Sequence, residues 1–273
     1  HDKSRILCSK NKHKWKVNLL ELNKIYCTNN IEGMKLLDDN SIDLTVTSPP
    51  YDDLRNYKGY TFDFENLAKE LYRVTKVGGV VVWVVGDATK NGSESGTSFK
   101  QALYFTEIGF NLHDTMIWNK GGFTAVGALS TRYAPVFEYM FILTKGKIKT
   151  FNPIKDRITI NGGKKVSGTI RQKDGSTKPM SKVMTINKYS QRYNIWNINP
   201  QRQRGKYTHP AVFPEQLAED HILSWSNVGD IVLDPFMGSG TTAKMAKLNN
   251  RNFIGFEISQ EYCDIANKRL ENL

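Results

Sequence analysis

The spacing of apolar positions changes period several times along the 273 residues. Ile42 to Thr47 is a mainly β-branched run halted by Ser48-Pro49-Pro50, and two prolines cannot continue a ladder, so the run is a predicted strand. Phe64, Leu67, Ala68, Leu71 and Tyr72 then recur at helical spacing behind Asp63, a candidate cap. Gly78-Gly79 is expected to end that helix. Val80 to Val85 follows as an uninterrupted apolar run, the pattern of a strand buried on both faces. Strand, helix, strand predicts a parallel βαβ unit.

A second helix is expected from Ser98 to Ile108, stopping at Gly109, with strands at Thr115–Trp118 and Val136–Leu143 and a loop at Asn119–Phe123 between them. From Thr144 to about Tyr207 the periodicity collapses into Gly, Asn, Lys and Ser with short β-like runs such as Ile158 to Ile160, which reads as an irregular inserted subdomain. Regular texture resumes with helices at Glu215–Ser224, Thr241–Leu248 and Gln260–Leu270, and strands at Asp230–Leu233 and Asn252–Glu257. The pattern divides the chain into an extension (1–23), one half of an α/β domain (24–144), the insertion (145–207) and the other half of that domain (208–273).

An apolar content of 39% in a chain of this length allows one substantial core. Val80–Val85 is the longest apolar run and far too short to cross a bilayer, and no charged segment precedes an apolar one at the start, so a soluble, cytoplasmic protein is expected. Cys8, Cys27 and Cys263 are odd in number and widely separated, which supports neither a disulfide framework nor a zinc site and predicts reduced, mostly buried thiols.

Charge changes the picture of the insertion. Lys145 to Lys206 holds 16 Lys or Arg against two acids, Asp156 and Asp174, whereas the remainder is slightly acidic. The whole basic excess of a chain with net charge +11 therefore sits in one internal segment, the footprint of a polyanion-binding insertion in a near-neutral body.

Two turns carry candidate chemistry. Ile231-Val232-Leu233-Asp234 leads through Pro235-Phe236-Met237-Gly238-Ser239-Gly240 into a helix at Thr241-Thr242. Asp234 would lie at the carboxyl end of a buried strand, where open α/β sheets bind ligands; Gly238 and Gly240 would let the backbone approach the ligand, with Thr241 and Thr242 capping the helix. The third glycine of a dinucleotide site is missing, since Lys244 lies near its place, and a cofactor without a pyrophosphate does not need it. Glu257, at the end of the next strand, can accept both hydroxyl hydrogens of a ribose.

Ser48-Pro49-Pro50-Tyr51 is the second turn. An exocyclic amino nitrogen of adenine or cytosine is a poor nucleophile, and methylating it requires acceptors that pull its hydrogens. Two prolines hold the backbone carbonyl near Ser48-Pro49 toward the pocket, Ser48 supplies a hydroxyl, and Tyr51 offers a face on which a flipped base can stack. None of the three cysteines follows a proline, so the thiolate nucleophile of cytosine-C5 chemistry is missing.

Asp-Pro-Phe-Met-Gly-Ser-Gly-Thr-Thr and Ser-Pro-Pro-Tyr resemble the cofactor and catalytic motifs of the amino-methylating DNA methyltransferases, and their order around the basic insertion resembles that of the family's beta group. The resemblance covers about Lys24 to Leu270. It implies a Rossmann-like sheet, mostly parallel with one antiparallel strand, in a circularly permuted motif order, and a basic target-recognition insertion. It implies S-adenosylmethionine as cofactor, with Asp234, Phe236, Gly238, Ser239, Gly240 and Thr241 around its methionine and Glu257 on its ribose. Thr208 to Pro214 is similar to the motif lining the methionine end, which adds His209 and Phe213. Thr28-Asn29 stands where relatives place Gly-Asp against the adenine, leaving Asn29 as a candidate contact.

Serine at the first catalytic position is associated in the family with cytosine-N4 methylation, and Asp or Asn with adenine-N6; both bases remain open, with cytosine favoured. A protein-glutamine substrate is disfavoured by the basic insertion, and a non-enzymatic DNA-binding protein would leave both turns without purpose. Lys164, Lys165, Arg171, Lys173, Arg192, Arg202 and Arg204, interleaved with Tyr189, Tyr193 and Trp196, are the candidate contacts to double-stranded DNA. The resemblance further implies a prokaryotic or phage origin, a restriction-modification or epigenetic setting in which a cognate restriction endonuclease would share the site, and a monomer or homodimer.

Overall fold

The computed structural model describes residues 20–50, 62–122, 131–200 and 213–273. Eight strands build the central sheet: β1 (Lys24–Cys27), β2 (Ile42–Thr47), β3 (Thr75–Val85), β4 (Asn111–Asn119), β5 (Phe137–Thr144), β6 (Ile195–Asn197), β7 (Ile231–Asp234) and β8 (Asn252–Glu257). The helices are α1 (Asn30–Met34), α2 (Phe64–Val74), α3 (Thr97–Glu107), α4 (Glu215–Trp225), α5 (Thr241–Leu248) and α6 (Gln260–Glu271). None of these is long and apolar enough to cross a membrane.

Across the sheet the order is β1-β8-β7-β2-β3-β5-β4-β6. Every adjacent pair is parallel except those made by β5, which runs against both β3 and β4. The expected sheet, mostly parallel with one antiparallel strand, is therefore present, and it is made jointly by both halves of the chain. Apolar side chains of β2 and β3 alternate between two cores. Leu44, Val46, Val80, Val82 and Val84 pack toward α4 and α5, and Val81, Trp83 and Val85 pack toward α1, α2 and α3. Val80 to Val85 is buried throughout, as its unbroken apolar run predicts.

Several boundaries differ from the sequence reading for local reasons. Asp63 does cap α2, its carboxylate accepting the Asn66 N–H, but the helix ends at Val74 rather than at Gly78-Gly79. The Thr75 hydroxyl donates to the Leu71 carbonyl and Thr75 already pairs with Ile42, so β3 begins three residues before the glycines. Gly78, at φ +90°, instead serves the crossing with the chain after β5, where its N–H donates to the Lys145 carbonyl at 2.6 Å. Cys27 is exposed although a buried thiol was expected, while Cys263 is buried and its thiol is pushed up, chiefly by burial.

The insertion is neither irregular nor self-contained. Arg157 to Ser190 forms one two-stranded ribbon, with Ile158 opposite Tyr189, Val166 opposite Met184, and Ile170 opposite Lys178. The Thr159, Gly163 and Met180 N–H groups bridge the intervals by donating to the carbonyls of Lys188, Ile186 and Gly168. Beyond the ribbon, β6 returns to the main sheet beside β4, and Trp196 is buried in the core rather than displayed for stacking.

Arg192 roots the ribbon. Its guanidinium sits 2.5 Å from Asp156 and 2.6 Å from Asp220 of α4, over the Trp196 ring, so the phosphate contact expected of it is replaced by an internal clamp. Burial raises the Asp220 carboxyl pKa, and Arg192 opposes that shift. Arg192→Ala, which leaves the Asp220 charge without its partner, should destabilise the protein by about 3 kcal/mol in urea denaturation, and replacing Asp220 by Leu as well should recover much of the loss. A change within 0.5 kcal/mol for the single variant would refute the clamp.

Candidate active site

β2 and β7 are parallel neighbours, with Leu44 opposite Val232 and Thr45 opposite Leu233, so the two turns leave the same edge of the sheet side by side. Thr47, the residue before Ser48, donates its hydroxyl to the Asp234 carboxylate at 2.7 Å. The same carboxylate oxygen accepts the Phe236 N–H at 3.0 Å, which curls the cofactor turn back over the end of β7. Ser48 and Pro50 are half-buried and Pro49 is buried. Tyr51 and His209 lie outside the described residues.

Asp234 is fully buried, and burial pushes its carboxyl up to about 6, against the hydrogen bonds from Thr47 and Phe236 that favour the charged form. The negative charge of Glu257 adds to the upward shift. Glu257 ends β8 with one carboxylate oxygen accepting the Gly238 N–H at 2.8 Å and the other the Ser259 N–H at 2.9 Å. Both oxygens are thus fixed in direction, and each retains a lone pair for a further donor, which suits a vicinal diol.

The glycines of the turn have different tasks. A Cβ on Gly240, at φ +81°, would stand 2.8 Å from the Ala266 Cβ of α6, so this position is bare to admit a helix. Gly255 of β8 is similar, since a Cβ there would meet the Met237 side chain at 2.2 Å. The expected threonine caps are not formed. Gly240 is itself the N-cap of α5, the Thr242 hydroxyl donates to the Val46 carbonyl, and the Thr241 hydroxyl accepts from Arg269.

Arg269 was not among the sequence-derived candidates. From α6 it donates to the Ser239 carbonyl at 2.6 Å, to the Ser239 hydroxyl at 3.0 Å and to Glu215 at 2.8 Å. Lys244 joins the same Glu215 carboxylate, which is held below the usual range by these two cations despite burial. A lone arginine in a terminal helix gives no sequence signal of such a role. Thr47 gave a faint one, as a polar residue ending a largely buried strand, one position before Ser48 and the two prolines.

Phe213 packs half-buried against the core beside α4, and Phe236 lies edge-on to Phe62 at 5.6 Å. The side-chain oxygen of Asn29 caps α1 by accepting from the Ile31 and Glu32 N–H groups. Lys164, Lys165, Arg171 and Lys173 are exposed along the ribbon, far in sequence from both turns, and Arg202 and Arg204 lie outside the described residues.

Two variants test this geometry. Gly240→Ala forces a side chain into both a left-handed backbone and the α6 contact, and should cost about 2 kcal/mol or more in thermal or urea denaturation. Asp234 has a folded pKa near 6 against 3.8 when unfolded, so the folded state binds the proton more tightly and stability falls as pH rises from about 4 to 6. Two pH units correspond to about 3 kcal/mol, and Asp234→Asn should flatten the stability curve across that window; an unchanged slope would place the titration elsewhere.

The DNA methylase family matches residues 42–268 of the chain. The orphan methyltransferase M.BamHII of Bacillus amyloliquefaciens is 60% identical over 243 residues, covering 86% of this chain and 91% of that protein. The type II methyltransferase M.HpaI of Haemophilus parainfluenzae is 30% identical over 262 residues, covering 91% and 74%. In three dimensions the crystal structure of the M1.HpyAVI complex with S-adenosylmethionine superposes with a TM-score of 0.60 at 25% identity, covering 90% of this chain and 98% of that one. With its two turns on adjacent strands and a match spanning both, the chain belongs to the family of amino-methylating DNA methyltransferases that take their methyl group from S-adenosylmethionine.

Proposed function

We propose that this enzyme methylates the exocyclic N4 of cytosine in double-stranded DNA, with Ser48, Pro49, Pro50 and Tyr51 as the catalytic turn. The observation that carries the reading is the Thr47–Asp234 hydrogen bond, which ties the catalytic turn to the cofactor turn at one sheet edge. S-adenosylmethionine supplies an electrophilic methyl group on a sulfonium. In this reading the Ser48 hydroxyl and the backbone carbonyl beside Pro49 accept the amino hydrogens and make the nitrogen lone pair available. Tyr51 stacks on the extruded base.

The chain's own residues suit the cofactor. Glu257 presents two fixed acceptors to the ribose and the bare backbone at Gly238 lies beside it; in this reading Phe236 and Phe213 serve the methionine side, to which the resemblance adds His209. Ser239 and Thr241 act through the Arg269 clamp, which holds the shape of the turn, and Gly240 acts by admitting α6. Asn29 contributes through the cap of α1, which fixes the loop after β1. Ser48 is what favours cytosine over adenine, since serine at this position accompanies N4 methylation among relatives. The setting is a bacterial restriction-modification or epigenetic system, in keeping with relatives named as orphan and type II methyltransferases.

Incubation with unmethylated duplex DNA and isotopically labelled cofactor, followed by nucleoside mass spectrometry, should yield N4-methylcytosine; N6-methyladenine alone would overturn the choice of base. Ser48→Ala should reduce turnover by about 100-fold or more while S-adenosylmethionine affinity changes by less than about threefold. Retained turnover would remove Ser48 from catalysis.

A further inference from the structure

Two of the three cysteines meet beside Glu257, although β1 and α6 lie near opposite ends of the chain. Cys27 ends β1 directly opposite Glu257 of β8, and the next N–H, that of Thr28, donates to the Glu257 carbonyl at 2.9 Å. Cys263 lies in the first turn of α6, its N–H donating to the Ser259 carbonyl at 3.0 Å. The two thiols close on the same stretch of backbone: the Cys27 sulfur is 3.9 Å from the Ile258 carbonyl oxygen, and the Cys263 sulfur is 3.6 Å from that of Glu257. Burial pushes the Cys263 thiol up, and the hydrogen bond and charge of the adjoining Cys27 thiol add to the rise. The sulfurs are therefore neighbours.

Their surroundings differ. Cys27 is exposed and Cys263 is buried. A thiol reacts with an oxidant as its thiolate, and only where the oxidant can reach it, so Cys27 is the one open to attack. Cys263 is kept protonated and covered, which suits a second thiol that waits for the first. Methylation of an amino nitrogen uses neither.

We propose that Cys27 and Cys263 form a reversible disulfide under hydrogen peroxide, and that closing it weakens the hold on S-adenosylmethionine. The second half rests on the reading that Glu257 binds the cofactor's ribose. In the first step the Cys27 thiolate attacks one peroxide oxygen and the O–O bond breaks. The departing hydroxide takes up the proton that Cys27 gave up, and Cys27 is left as a sulfenic acid. In the second step the Cys263 sulfur attacks the Cys27 sulfur, the S–O bond breaks, and hydroxide leaves with the Cys263 proton as water. Two thiols and one peroxide thus give one disulfide and two waters, and the two electrons come from the sulfurs. A dithiol reductant reverses the change by exchange.

A disulfide holds its sulfurs about 2 Å apart, well inside the contact distance of two thiols, so closure must draw the start of α6 against the end of β1. That movement reaches the cofactor turn by two routes. Ser259, four residues before Cys263, donates its N–H to one oxygen of Glu257 while the Gly238 N–H holds the other. Farther along α6, Ala266 packs on Gly240 and Arg269 holds Ser239. Moving α6 turns the Glu257 carboxylate and slackens the Arg269 brace, and the ribose loses its aligned acceptors.

The test uses the full chain with hydrogen peroxide, dithiothreitol and S-adenosylmethionine. Native protein treated with peroxide, alkylated and mapped as peptides without reduction should show Cys27 linked to Cys263. Calorimetry on the same sample should show S-adenosylmethionine bound at least about fivefold more weakly, with dithiothreitol restoring the affinity. Cys27→Ser and Cys263→Ala should each bind the cofactor as the wild type does and lose the response to peroxide, whereas Cys8→Ser should keep it. Cys27 is exposed, so its replacement leaves the fold intact and carries the test should Cys263→Ala unfold. A map in which Cys27 stays unlinked, joins Cys8 or goes on to the sulfinic acid would overturn the proposal, as would a Cys27 to Cys263 link that leaves the affinity within about twofold. Reduced Glu257→Ala that binds the cofactor as tightly as the wild type would instead overturn the reading of Glu257, with the disulfide still seen in the map.

Discussion

One buried hydrogen bond holds the chemistry of this protein together. Thr47 and Asp234 are 187 positions apart in the chain, yet their side chains meet at 2.7 Å in a place water does not reach. A buried carboxylate is costly unless donors satisfy it, and one oxygen of Asp234 accepts from both the Thr47 hydroxyl and the N–H of Phe236. Thr47 leads directly into the catalytic turn and Phe236 lies in the cofactor turn. The carboxylate therefore cannot be accommodated unless both turns are in place, and the relative position of Ser48 and the cofactor turn is settled by the same requirement that makes the core stable.

Around that bond the cofactor turn is shaped from outside by packing. Met237 lies over β8 because Gly255 has no side chain, and its N–H donates to the Phe256 carbonyl. Gly240 admits Ala266, which brings α6 close enough for Arg269 to hold the carbonyl and hydroxyl of Ser239. Glu257 closes the arrangement by taking the N–H of Gly238. The turn is thus braced by a strand, a helix and an arginine, none of which belongs to the motif itself.

The basic insertion solves a different problem. A segment with so many cations and so little apolar content cannot bury a core of its own. It is ordered instead by backbone pairing along the ribbon and by tethering to the main domain, with Arg192 facing inward and Trp196 and Ile198 packed into the sheet's core. Of the candidate cations, the one nearest an acid-bearing helix became structural, and those farther along the ribbon remain exposed.

The sequence by itself determined the parts that depend on short-range chemistry. The β-branched run before two prolines, the apolar run Val80–Val85, the helical spacing behind Asp63 and the Asp-Pro-Phe-Met-Gly-Ser-Gly turn all specify their own local structure, and each was legible to within a few residues. Segregation of charge marked the insertion in the same way. Tertiary structure decided everything that needs two distant segments to meet: that Thr47 satisfies Asp234, that Arg269 braces the turn, that Gly240 is bare where α6 packs, that Asn29 caps α1, and that Arg192 clamps Asp156 and Asp220. A side chain's partner is chosen by which strands become neighbours, and strand order is set by burying apolar faces over the whole sheet, a global balance to which no single stretch of sequence has access.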